Sequence, residues 1–174
     1  MISPDKHQTH DEPSAMAAGI DPREFRRTLS RFATGVTVIT TVYGEIVHGM
    51  TANAFMSVSL DPPLVAVAVD HRARMHRLLQ ESGRYGVSIL AEDQELLARH
   101  FSGRPQENIE IRFEWQRDLP LIAGALAHIV CRIVQAVPAG DHTLFIGQVE
   151  YLNHRDGAPL LFYGSNYRRL EVQP

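Results

Sequence analysis

Along residues 23–33 the apolar side chains Phe25, Leu29 and Phe32 recur at spacings of four and three, which predicts an amphipathic helix. Asp21-Pro22 ahead of it supplies an N-cap and a first-turn proline, and Gly35 ends it. Residues 36–42 (VTVITTV) are β-branched throughout and predict a strand; Tyr43-Gly44-Glu45 turns into a second strand from Ile46 to about Thr51. Residues 49–60 are rich in small and hydroxyl side chains and stop at Asp61-Pro62-Pro63, which breaks any regular element. The unbroken apolar run 64–69 (LVAVAV) fits a strand buried on both faces. A short helix over 74–81 ends near Gly83, and 85–90 alternates as a strand. Glu92 or Asp93 caps a helix to about Phe101 with Leu96, Leu97 and Phe101 facing inward. Residues 102–120 read as a long polar loop containing Trp115. Long strands at 125–137 and 142–152 join through Pro138-Ala139-Gly140-Asp141, and 160–163 adds one more.

About seven strands against three or four short helices, without βαβ alternation, point to a mainly antiparallel barrel with peripheral helices. One domain is expected over 21–174, behind a polar, flexible N-terminal arm at 1–20. The 174 residues are 44% apolar and 21% charged, as in ordinary globular chains, which excludes a disordered or collagen-like protein. A formal net charge of −3 argues against a broad nucleic-acid footprint and leaves a local basic patch open. No apolar run reaches the ~18 residues that cross a bilayer. The first twenty residues lack the basic start and apolar stretch of a secretory signal, so a cytoplasmic protein is expected. Cys131 is the single cysteine, which excludes an internal disulfide and a cysteine zinc site.

Motifs for chemistry are mostly absent. There is no P-loop and no G-x-G-x-x-G between a strand and a helix. The nine histidines are scattered; His71 and His76, five apart, fall on different sides of a helix, and no metal is expected. No G-x-S-x-G elbow exists, and Cys131 in an apolar strand reads as an inert buried thiol. The informative stretch is 51–59. Its Thr, Ala, Asn and Ser residues set small side chains beside accessible amides, a wall against which a flat heteroaromatic ring can lie. The same residue types also suit a packed strand with hydroxyls on its wet face, and composition alone does not decide between the two.

Four segments occur in order: FATGVTVITT (32–41), GMTANAFMSVSLDPPL (49–64), GDHTLFIGQVE (140–150) and PLLFYGSNYRRL (159–170). Together, over roughly residues 20–170, they resemble the flavin reductase family with the FMN-binding split-barrel fold, which includes reductase components of two-component flavin monooxygenases. The resemblance implies a split, Greek-key-like β-barrel with short peripheral helices, assembled as a homodimer with flavin in a groove near the interface. It implies reduction of FMN or FAD by NADH or NADPH and release of reduced flavin to a partner monooxygenase. By position, Met50, Thr51, Ala52, Asn53 and Ala54 would line the isoalloxazine, and Ser57, Val58 and Ser59 the ribityl chain. Phe101, Ser102 and Gly103 would also bind the cofactor, and Tyr167 and Arg168 would border it. His142, in the Gly-Asp-His motif, would face the nicotinamide as the catalytic position; its other reading is a strand-edge residue ordering the hairpin through Asp141.

Three departures from the family pattern concern the phosphate side, and hence FMN against FAD. A Ser-x-Ser/Thr pattern is replaced by Ala73-Arg74-Met75, leaving His71, Arg72 and Arg74 as implied phosphate contacts. Asn108-Ile109-Glu110 stands where Asp-Lys-Phe is common, and Gly164-Ser165 where Arg-Gly is. Lost phosphate contacts would also suit a second function, a flavin carrier or redox-sensing module without reductase turnover.

Overall fold

A computed structural model of the chain describes residues 19–107 and 109–170. The arm expected at 1–20 lies outside the described residues except for Gly19 and Ile20, as does Asn108. Helix α1 (Pro22–Leu29) starts where expected, Arg23 N donating to Asp21 Oδ1 at 2.8 Å. It stops four residues before Ala33; past its end Arg31 N and Phe32 N donate to carbonyls three residues back, at Thr28 and Leu29, and the chain leaves the α-helical pattern. The stripe is real but uncovered: Phe25, Leu29 and Phe32 are 53%, 56% and 76% exposed. Periodicity reports that a face needs covering and does not say by what.

The strands are β1 (Thr34–Gly35), β2 (Thr37–Tyr43), β3 (Ile46–Ala52), β4 (Phe55–Leu60), β5 (Pro63–Asp70), β6 (Arg84–Ile89), β7 (Phe113–Gln116), β8 (Leu119–Ile122), β9 (Ala127–Ala139), β10 (His142–His154), β11 (Leu160–Tyr163) and β12 (Asn166–Arg169). Helix α2 (Arg74–Ser82) ends at Gly83, whose φ of +66° suits glycine, and α3 (Glu95–Phe101) follows a 3-10 turn at Glu92–Gln94. Seven antiparallel strands form one sheet in the order β3-β2-β6-β9-β10-β5-β4. Its two edge strands are consecutive in the chain and separated only by Asn53 and Ala54. The sheet must therefore curl until its edges meet at that corner, although β3 and β4 do not pair. The result is the expected mainly-β split barrel with peripheral helices. Strands β1, β11 and β12 make a second small sheet, and β7 with β8 a separate hairpin.

Inside the curl, Ile39, Val67, Tyr85, Val87 and Phe145 pack with Met75 and Leu79 of α2. A second cluster (Val36, Val38, Leu90, Ala98, Ile122, Leu160) lies between α3 and the small sheet. Each such aliphatic side chain contributes about 1.5–3 kcal/mol on full burial.

Three expectations need correction, and one strand, β12, was not expected at all. The polar loop at 102–120 contains the β7–β8 hairpin, turned at Arg117 and Asp118 (φ 47° and 64°); without a glycine the turn leaves no signal, although Leu119, Leu121 and Ile122 are buried. Strand β12 is polar in sequence and forms because it pairs with β11. Leu96 is 59% exposed and Ala98 is buried instead, because the 3-10 turn is capped at Ala91, not at Glu92 or Asp93, and shifts the register of α3. Residues 85–88 do not alternate but are all buried, since β6 is a central strand covered on both faces. Among the described residues no helix is long and apolar enough to cross a membrane.

Candidate functional site

The GMTAN segment of β3 forms one wall of a cleft. The end of α3 and the start of α2 form the others. His48, Gly49, Met50 and Thr51 face Phe101, Ser102 and Gly103, with Ala73 and Arg74 closing a cavity of about 590 Å³. Thr51 Oγ1 donates to Ala98 O at 2.7 Å and ties the strand to the helix. Gly49 is required by close approach: a Cβ there would sit 2.6 Å from the Phe101 ring. Gly103 leaves α3 at φ +83°, and the place of its missing Cβ is open, so main chain rather than side chain borders the cavity. His48 is half-buried; burial first, then the charge of Arg74, hold its pKa below the ordinary histidine value, so the imidazole facing the cleft is neutral near pH 7.

The cleft continues. A pocket of about 160 Å³ shares Thr51 and Ser102 and adds Val36, Asn53, Phe162 and Tyr167. The next, about 280 Å³, shares Ser102, Phe162 and Tyr167 and adds Arg99, Arg104, Ser165 and Asn166. The Tyr167 ring meets Phe162 edge-on at 5.5 Å and carries the Arg99 guanidinium 5.1 Å from its centroid, while burial raises the pKa of its hydroxyl. Beyond the Asn53-Ala54 corner, Ala54 instead borders an apolar groove of about 420 Å³ with Leu29, Phe32, Phe55, Met56 and Leu144.

Of the sequence-predicted residues, the structure thus gathers Met50, Thr51, Asn53, Arg74, Phe101, Ser102, Gly103 and Tyr167 along one cleft. Ala52 is buried, and its carbonyl accepts from Thr37 Oγ1 at 2.7 Å. Ser57, Val58 and Ser59 lie on β4, an edge strand with an irregular register at Val58, and line none of these cavities. Arg168 is exposed, whereas Tyr167 beside it is half-buried.

His71, Arg72 and His142 belong to a different cluster, where β5 meets the start of β10. His71 Nε2 and His76 Nε2 both reach Thr143 Oγ1, at 3.1 and 2.9 Å, with ring centroids 4.9 Å apart. The expectation that these two histidines diverge is wrong, because His71 sits in the turn before α2, not on it. Arg72 binds Asp70 at 2.7 Å, and its hydrogen bonds hold that carboxyl well below the usual carboxylate range. His142 Nδ1 and Asp141 Oδ1 are 2.7 Å apart.

Sequence reading missed His48, Arg99, His100, Arg104 and Phe162. His48 stands directly before GMTAN, His100 directly before Phe101, and Phe162 inside the segment 159–170, whereas Arg99 and Arg104 carried no signal. Among the described residues no group of three or more His, Cys, Asp or Glu is placed to hold a metal. Cys131 is fully buried with its thiol pushed up to about 12, an inert group.

A cleft with small residues and open main chain at one end, and an aromatic ring and guanidinium groups further along, fits a flat heteroaromatic cofactor with an anionic tail. On a split barrel this defines a flavin-binding oxidoreductase scaffold. Residues 29–171 match the family model described as flavin reductase like domain, and the chain belongs to that family. It is 52% identical over 156 residues to an NADH-dependent flavin reductase of Rhodococcus sp, covering 88% of this chain and 89% of that protein. It is 44% identical over 147 residues to the reductase component of 4-hydroxyphenylacetate 3-monooxygenase of Thermus thermophilus, covering 84% and 95%. The solved structure of the flavin reductase PheA2 in its native state superposes with a TM-score of 0.86 at 48% identity, over 88% of this chain and all of that one.

Proposed function

We propose that the protein is a cytoplasmic NADH-dependent flavin reductase that accepts FMN or FAD and supplies reduced flavin to a partner flavin-dependent monooxygenase. The observation that carries this reading is the continuous cleft from Met50 and Thr51 past Ser102 to Tyr167, in a chain of the flavin reductase-like family. Flavin, when bound, supplies the acceptor for the hydride of NADH. The chain's own contribution is positioning and exclusion of water. Met50, Thr51, Asn53 and the open backbone at Gly103 hold the ring end, with Phe101 as an apolar wall. Neutral His48 adds a hydrogen-bonding group without a charge, and Arg74 adds one cation. His142 is assigned to the nicotinamide, its imidazole oriented by Asp141.

The same reading takes residues 21–174 as one domain and the assembly as a C₂ homodimer. The exposed face of α1 and the apolar groove beside it are surfaces a second copy would cover. Sedimentation at micromolar concentration should give a dimer; a monomer with flavin still bound would refute the assembly.

Mixing flavin-loaded protein with NADH under argon in a stopped-flow instrument tests the activity. The flavin's visible absorption should bleach in a single turnover, and steady-state NADH oxidation with excess free flavin should run far above background. Absence of bleaching with either NADH or NADPH would sink the reductase reading, and binding without turnover would leave a carrier.

A further inference from the structure

Although the chain carries a net charge of −3, α1 and its exit hold Arg23, Arg26, Arg27 and Arg31. Arg23 stands three and four residues before Arg26 and Arg27, on the same side of α1, where like charges repel, and Arg31 lies just past the helix end. Glu24 lies on α1 three residues before Arg27, and Asp21 is engaged by the backbone N–H of Arg23 at the cap. Among the described residues none of the four arginines forms an ion pair.

These side chains line a cavity of about 440 Å³ together with Ser30, Gly164 and Ser165. The cavity is a fixed feature. Gly164 N donates to Ser30 O at 2.8 Å, fastening the β11–β12 turn to the end of α1, and Asn166 Nδ2 donates to Gly164 O at 2.9 Å. Ser165 holds the turn at φ +63° and is shared with the neighbouring Arg99–Arg104 pocket. That pocket in turn shares Ser102 and Tyr167 with the one at Thr51 and Asn53. A single path therefore leads from the small-residue end of the cleft, past two guanidinium groups, to four more.

Guanidinium groups bind phosphate oxygens in paired, planar geometry, and several together suit an anion with more than one charge. A single phosphate needs no more than Arg104 nearer the ring end, since Arg99 is already paired with Glu95 at 2.6 Å. The farther four suit a ligand that extends beyond it. We infer that Arg23, Arg26, Arg27 and Arg31 bind the diphosphate of a dinucleotide that lies along this path. This rests on the flavin reductase reading and deepens it. Two dinucleotides share that chemistry, FAD and NADH.

ADP is the probe that needs no ring site. Titrated calorimetrically into the full chain, it should bind the unaltered protein, and the exposed double substitution R26A/R27A should weaken it by about tenfold or more. No ADP binding to the unaltered protein, or equal binding to the variant with an unchanged melting temperature, would overturn the inference. FAD, FMN and NADH then identify the source. Weaker FAD with unchanged FMN places FAD on the arginines; a raised KM for NADH with unchanged FAD places NADH there. Equal loss of FMN and FAD would overturn the diphosphate assignment. A chain that binds ADP as expected but shows no NADH-dependent flavin reduction would sink the reductase reading and leave the arginine pocket standing.

Discussion

Gly49→Ala is a one-carbon perturbation whose effect follows from a single contact. The added Cβ would lie 2.6 Å from two atoms of the Phe101 ring. Ordinary carbon contact needs about 3.5–4.0 Å, so the ring must retreat by roughly 1 Å. Behind it stand Val36, Ala98 and Leu160 of a packed cluster, which leaves the cleft as the open direction. Overpacking of this kind costs about 1–3 kcal/mol. Replacing glycine within a strand returns about 0.5–1 kcal/mol. The two effects separate in a double-mutant cycle with Phe101→Ala. Gly49→Ala should lower the melting temperature of the parent and raise that of the Phe101→Ala chain. The coupling should be about 1–3 kcal/mol, or about 2–4 °C for each kcal/mol in a chain of this size. Flavin affinity by fluorescence titration should fall with Gly49→Ala, because the ring is displaced into the cofactor's space. A coupling below about 0.5 kcal/mol, with flavin affinity unchanged, would show that Phe101 does not rest on Gly49 and would remove the ring from the cleft wall.

Asn53→Trp should abolish flavin binding in a folded protein by filling the pocket beside Tyr167; unchanged affinity would take Asn53 out of the site. His142→Ala should lower kcat/KM for NADH about threefold to a hundredfold at constant flavin affinity. A lowered melting temperature with unchanged NADH kinetics would return His142 to bracing the hairpin. For His48 the folded pKa is depressed from 6.5, by burial first and Arg74 second, so the unfolded chain takes the proton first as pH falls. Its contribution to stability is complete above about 6.5, declines below that value, and levels off below the folded pKa. His48→Gln should flatten that part of the pH–stability curve, and Arg74→Gln should raise the His48 titration midpoint seen by NMR. A midpoint indifferent to Arg74 would mean that the two groups do not face each other.

Strong periodicity and β-branching made most of the barrel legible in the sequence: β2, β3, β5, α2, β9 and β10 fall within a few residues of their expected positions. What escaped was set by partners distant in the chain. Strand β12 is a strand only because β11 pairs with it, and Arg117-Asp118 turn a hairpin without a glycine to announce it. The candidate site divides the same way. Met50, Thr51, Asn53 and residues 101–103 were expected through the family resemblance and line the cleft, while Arg99 and Arg104 reach it through the packing of α3 against the small sheet. His71 and His76 show the reverse error: helical arithmetic was applied to a residue that lies outside the helix.

The corner at Asn53-Ala54 bears on how a ligand leaves. Everywhere else in the large sheet, separating neighbouring strands breaks a ladder of main-chain hydrogen bonds; between β3 and β4 there is no ladder to break. Ala52 is anchored on one side through its carbonyl to Thr37, and Ala54 on the other through its carbonyl to Ala68 N. Asn53 alone spans the gap, so small torsional changes at one residue can widen the barrel's slit while both halves keep their pairing. Release of a bulky planar product then needs no unfolding step. Turnover in a protein that hands its product to another enzyme would be governed by the contacts the product itself makes, not by the stiffness of the fold around it.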